Sequence, residues 1–141
     1  MATIDEIQAR REARKAARAK QHEEQFAVDL EALDKLEELH GDQALAQVKI
    51  DPGRWEPGLP TLVVVRVPES AFVRFRTMIR KAKGNGEAGG QASDMLGDVS
   101  VAYPDADTYR AMRAKYEGLH DKVAIAAVSL AEGKTAEEGK G

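Results

Sequence analysis

Apolar residues recur along the chain in several distinct rhythms. Phe26, Leu30, Leu33, Leu36 and Leu39 fall at steps of four and three, the stripe of an amphipathic helix. Val48 and Ile50 flank Lys49, and Leu62 to Val67 reads L-V-V-V-R-V; both suit strands. Phe72, Phe75, Ile79 and Ala82 return to helical spacing and predict a helix over 70–82. Met95, Leu96 and Val99 predict another over 92–102, and Tyr109, Met112 and Tyr116 one over 106–117. Val123 to Ala131 reads V-A-I-A-A-V-S-L-A, a final helix over 120–131. That run is shorter than the ~20 apolar residues a bilayer requires. Apolar on all sides, it is expected to be the helix the others wrap.

Capping and breaking residues set the boundaries. Thr3 and Glu6 make a T-x-x-E capping box, and neither Gly nor Pro follows until Gly41. A continuous helix over 3–40 would span about 57 Å at ~1.5 Å per residue, longer than a small domain is wide. Between the two strand segments lies D-P-G-R-W-E-P-G-L-P, a wide loop in a hairpin over 44–67. Its Trp55 reads first as an anchor folded back over the hairpin, and second as an exposed partner contact. Ser70, Ser93, Asp105 and Asp121 read as helix N-caps. Gly118 closes the helix before the last, and Gly97 weakens its predecessor. Residues 84–90, G-N-G-E-A-G-G, read as a flexible linker, and 132–141 as a disordered polar tail.

Together these elements predict an α+β fold, mostly helical. One β-hairpin would pack on a small helical bundle, with a long N-terminal helix. Residues 1–41 form a charged, partly projecting helix and residues 42–131 a small α+β domain. The expected core is Val63, Val65, Phe72, Phe75, Ile79, Leu96, Val99, Tyr109, Met112, Val123, Ala127 and Leu130.

Charge divides the long helix in two. Residues 10–20 carry Arg10, Arg11, Arg14, Lys15, Arg18 and Lys20 against Glu12, with Ala as almost the whole apolar content. The half that follows carries Glu23, Glu24, Asp29, Glu31, Asp34, Glu37 and Glu38 against Lys35. This order opposes the helix dipole, which favours acids first, so helix stability does not explain it. The plain reading is a solvated extension. The sharper one is a partner: an acidic surface, nucleic acid, or a second copy running antiparallel. Arg74, Arg76, Arg80, Lys81 and Lys83 add a modest basic patch with Arg66. It lacks the interleaved aromatics and motifs of a nucleic-acid site, so a solvated helix face is the better reading. The net charge of −3 over 141 residues exerts no general pull on nucleic acid or membranes.

No reactive constellation stands out. The chain has no Cys, which removes disulfides, thiolate metal sites and a Cys nucleophile. His22, His40 and His120 lie far apart, without ligand spacing. Gly84, Gly86 and Gly89 form G-x-G-x-x-G, but after a helix rather than after a strand. Gly133-Lys134-Thr135 resembles a P-loop end, yet the required first glycine is Val128. These features point to a non-enzymatic protein without cofactor or metal. The partner-binding candidates are Arg10, Arg11, Arg14, Arg18, Phe26, Leu30, Leu33, Trp55, Arg74 and Arg76.

Val64 to Ala131 resembles a phage tail assembly chaperone. The likeness rests on V-V-R-V-P-E-S-A-F-V-R-F-R, and on V-S-V-A-Y-P-D followed by a short helix, a turn and an apolar helix. Tyr103, Pro104, Asp105, Tyr116, Gly118 and Leu119 are the matching positions; Glu117 stands where proline is usual. The charged N-terminal helix lies outside the pattern. The resemblance implies a protein of a tailed phage or prophage acting in the host cytoplasm. It would keep the tape measure protein soluble and assist polymerisation of tail tube protein, associating with both and with its own copies. It also implies a longer product made by frameshifting near the 3′ end, for which the Gly-Lys pairs at 133–134 and 139–140 are suitable places. The rivals are a structural protein retained in an assembly and, behind it, a nucleic-acid-binding module.

Overall fold

The computed structural model describes residues 1–140, with side chains as far as Gly133. Helix α1 runs from Ile4 to His40. The Thr3 hydroxyl accepts from the Glu6 N–H at 3.1 Å, supplying the expected cap. Gly41 ends the helix with φ +86°, and its N–H bonds the Glu37 carbonyl at 2.7 Å. Strand β1, Ala46–Lys49, pairs antiparallel with β2, Leu62–Val65, with Val48 opposite Val63. Then come α2 (Glu69–Ala82), α3 (Gly86–Ser100), strand β3 (Val101–Tyr103), α4 (Ala106–Lys115) and α5 (Leu119–Lys140).

The architecture is α+β and mostly helical, with the long N-terminal helix in place. The sheet has order β1-β2-β3, and β2 is fully buried along its length. Side chains alternate across a strand, so β2 feeds two cores. Leu62 and Val64 meet Leu33, Phe26, Leu36, Leu45 and Tyr103 on the α1 side. Val63 and Val65 meet Phe75, Leu96, Met112, Val123 and Ala127 on the other. Three layers result: α1, the sheet, and the remaining helices. This is why L-V-V-V carries no polar alternation.

Several local expectations are corrected. The hairpin gains a third strand from the last two residues assigned to a helix over 92–102 and the Tyr103 that follows them; Val101 and Tyr103 pair with Val65 and Val64. Three residues carry no readable period, and the pairing partner is distant in sequence. The glycine segment 84–90 is largely helical, because the Asn85 side chain accepts from the N–H groups of Glu87 and Ala88 and starts α3 there. Pro68, not Ser70, precedes α2, and α5 begins before Asp121.

Ile79 and Val99 are exposed, at 40% and 49%. On α2 the inward positions are Ala71, Phe75 and Met78, turning Ile79 outward. On α3, Ala92, Leu96 and Ser100 hold the inner face, leaving Val99 outside. Phe72 and Leu130 are half-buried. The last helix is not covered all round, since Ile125 is 65% exposed. Helix α5 continues to Lys140 past the expected start of a disordered tail; Gly141 and the tail side chains beyond Gly133 lie outside the described residues. Among the described residues, no helix is long and apolar enough to cross a membrane.

Candidate partner-binding surface

Helix α1 is held to the sheet at one face only. That face is His22, Phe26, Asp29, Leu33 and Leu36, at steps of three and four. It is rotated by part of a turn from the all-apolar stripe, so Leu30 and Leu39 stand exposed. The displaced member is Asp29, whose carboxylate is wholly buried. Its Oδ2 accepts from the Thr61 N–H and hydroxyl, both at 2.6 Å. Its Oδ1 accepts from Gln25 Nε2 at 3.0 Å and from the Tyr103 hydroxyl. All four partners donate, which suits an acceptor-only group. Burial, and then the hydrogen bond and charge of Asp29, push the Tyr103 phenol well above its ordinary value.

A second tie comes from the wide loop. Trp55 is 1% exposed and donates from Nε1 to the Leu59 carbonyl at 2.7 Å. The His22 ring meets its indole edge-on, centroids 5.2 Å apart, while Arg18 donates to the Trp55 carbonyl. The Glu56 N–H donates to the Tyr116 hydroxyl at 2.8 Å, and Lys115 pairs with Glu56 at 2.7 Å. The loop is thus a strap between α1 and α4, and Trp55 is its anchor. The His22 Nε2 is buried without a hydrogen-bond partner among the described residues.

The sequence-derived candidates divide accordingly. Leu33 and Trp55 are buried and Phe26 is half-buried, so these build the fold rather than an open surface. Arg10, Arg11 and Arg14 are fully on the surface of the projecting half, while Arg18 is tied to the strap. Leu30 is 40% exposed on the docked half. Arg74 and Arg76 are exposed on α2, the Arg76 guanidinium lying 5.9 Å from the Phe72 ring centre. They do not join the α1 residues in one patch.

Two other groupings invite a chemical reading. His120 Nε2 lies 2.7 Å from Asp94, and Arg113 pairs with Asp98 at 2.5 Å beside Tyr109. Burial pushes the Tyr109 phenol up to about 12, with Arg113 pulling down and Asp98 and Asp94 pushing up. A cleft of about 480 Å³ beside the end of α1 is lined by His40, Asp42 and Ser129 among others. Those three side chains make no hydrogen bond with one another among the described residues, so no nucleophile–base pair is formed. Among the described residues, no three His, Asp or Glu side chains are grouped to hold a metal ion.

Five of the six positions carrying the family resemblance do identifiable structural work, and the sixth, Pro104, is buried. Tyr103 donates to Asp29, and Asp105 caps α4 by accepting from Thr108, whose bonds hold its carboxyl below the ordinary range. Tyr116 accepts from the strap, Gly118 turns with φ +83°, and Leu119 is buried. No protein-family model, curated protein or solved structure matches the chain.

Proposed function

We propose that this chain is a tail assembly chaperone of a tailed phage or prophage: a non-enzymatic protein that holds a long helical client, the tape measure protein, soluble in the host cytoplasm. While doing so it assists polymerisation of the tail tube around that client. The observation that carries this reading is the projecting half of α1. Residues 3–17 are exposed on every side, while the same helix is fastened further along by Asp29 and the Trp55 strap. A rigid arm on a small domain offers repeated weak contacts to an elongated partner without a pocket. The resemblance from Val64 to Ala131 supplies the client's identity.

The test is co-expression with a tape measure protein from the same operon. The client is expected to become soluble and to co-purify with the full chain, and to lose both properties when residues 1–17 are removed. A client equally insoluble with and without the chain would end this reading.

A further inference from the structure

We propose that copies of this chain associate head to tail, the projecting half of α1 in one copy lying along the outer face of the docked half of α1 in the next. The starting point is helical phase. Ile4, Ile7, Arg11, Lys15 and Arg18 continue, at steps of three and four, the line of His22, Phe26, Asp29, Leu33 and Leu36. The side of the helix that faces the sheet in the second half therefore faces empty space beyond the domain in the first. It presents Ile4 and Ile7, 76% and 49% exposed, with Arg11 and Lys15 between them and the strap.

The opposite side of the docked half has the complementary character. Glu24, Glu31, Asp34 and Glu38 are exposed there, with Val28 at the margin, 56% exposed. Among the described residues, the side chains of Arg11, Lys15, Glu31 and Asp34 have no hydrogen-bond or ion-pair partner within the chain. Placing two α1 helices parallel, shifted by about twenty residues or roughly 30 Å, sets Arg11 beside Glu31 and Lys15 beside Asp34. The same shift brings Ile7 to Val28.

The direction follows from sterics. A second helix lying on the domain side of the projecting half in antiparallel sense would continue into space that the first copy's sheet already fills. In the parallel sense it continues away from the first domain, and its own domain occupies the space beneath the arm. The two contacting faces are on opposite sides of the helix. The contact is therefore heterologous, and each added copy leaves one arm and one acidic face free. This takes the place of antiparallel pairing, one of the partner readings that the charge order left open, and it holds whatever the client is.

Sedimentation velocity of the full chain tests it, over a range of concentrations at about 0.01 M and about 1 M salt, where the screening length is roughly 30 Å and 3 Å. The wild type is expected to grow beyond dimer with concentration at low salt and to be monomeric at high salt. The double variants Arg11→Glu/Lys15→Glu and Glu31→Lys/Asp34→Lys are each expected to stay monomeric at low salt. Mixed in equal amounts, they present opposite charges at both contacts and are expected to recover the growth. A wild type that stays monomeric at low salt, or stops at a closed dimer, overturns the proposal. So does a mixture of the two folded variants that remains monomeric.

Discussion

The two halves of α1 form one unbroken helix of good helix formers, yet only one of them is part of the domain. Residues 18–40 lie over β2 and the Trp55 strap; residues 3–17 are exposed on every side among the described residues. Helix formation is set locally, by the Thr3 cap, the run without Gly or Pro and the stop at Gly41. Docking is set by what lies opposite. The docked half carries large side chains and a buried carboxylate with four donors. The projecting half carries Ile4, Ile7, Arg11 and Lys15 on the same line, all exposed. One helix can thus be anchored at one end and available for contact at the other.

Breaking the anchor gives the largest expected effect. Asp29→Ala leaves the Thr61 N–H, the Thr61 hydroxyl and the Tyr103 hydroxyl without their buried acceptor. At ~1–3 kcal/mol for each unsatisfied group, a loss of about 4 kcal/mol is expected in urea denaturation. A loss under ~1 kcal/mol would mean that water takes over the site and that Asp29 is not the anchor.

Two leucines one turn apart sharpen the contrast between the faces of the docked half. Leu33 is 5% exposed and Leu30 40%. Leu33→Ala is expected to cost about 3 kcal/mol, and Leu30→Ala less than ~1 kcal/mol. Equal costs would place the docking face elsewhere on the helix.

Two tyrosines, Tyr103 on the α1 side of the sheet and Tyr109 in the core on the other, provide a pH probe of the two sides. Tyr103 and Tyr109 both have phenols raised above the ordinary value of 10.0, Tyr109 to about 12. Folding favours their neutral forms. That contribution is complete below pH 10 and is lost as the pH rises through 12. Thermal melts are expected to fall over this interval, and Tyr103→Phe to reduce the slope. A melting temperature flat from pH 9 to pH 12 would contradict the raised values.

The smallest effect is expected from the projecting half. Removing residues 1–17 takes away side chains that are all exposed apart from the small, half-buried Ala2, so the melting temperature is expected to stay within about 1 °C. Extending the cut to residue 22 also removes Arg18 and His22 from the strap, and a drop of a few degrees is expected. Equal melting of the two truncations would show that the strap contributes nothing to α1 docking.

Much of this fold follows from local signals. Thr3, Gly41, Asp105 and Gly118 work where their side chains or backbone freedom place them, because caps and turns involve neighbours within about four residues. The run of β2 is legible from its β-branched residues, and those of α2 and α4 from apolar residues at helical spacing. So is the charge division of α1, though not the faces on which the charges lie. What only the tertiary structure decided is which side each stripe turns and what meets it. Asp29 reads as one more acid on an acidic helix, since its donors Thr61 and Tyr103 stand 32 and 74 residues away. Strand β3 exists because β2 offers an edge to three residues with no period of their own. Ile79, Val99 and Ile125 have core-like side chains, but no layer covers them. Periodicity is a property of a segment alone, whereas burial requires a second segment, and the chain brings that second segment from far along its length.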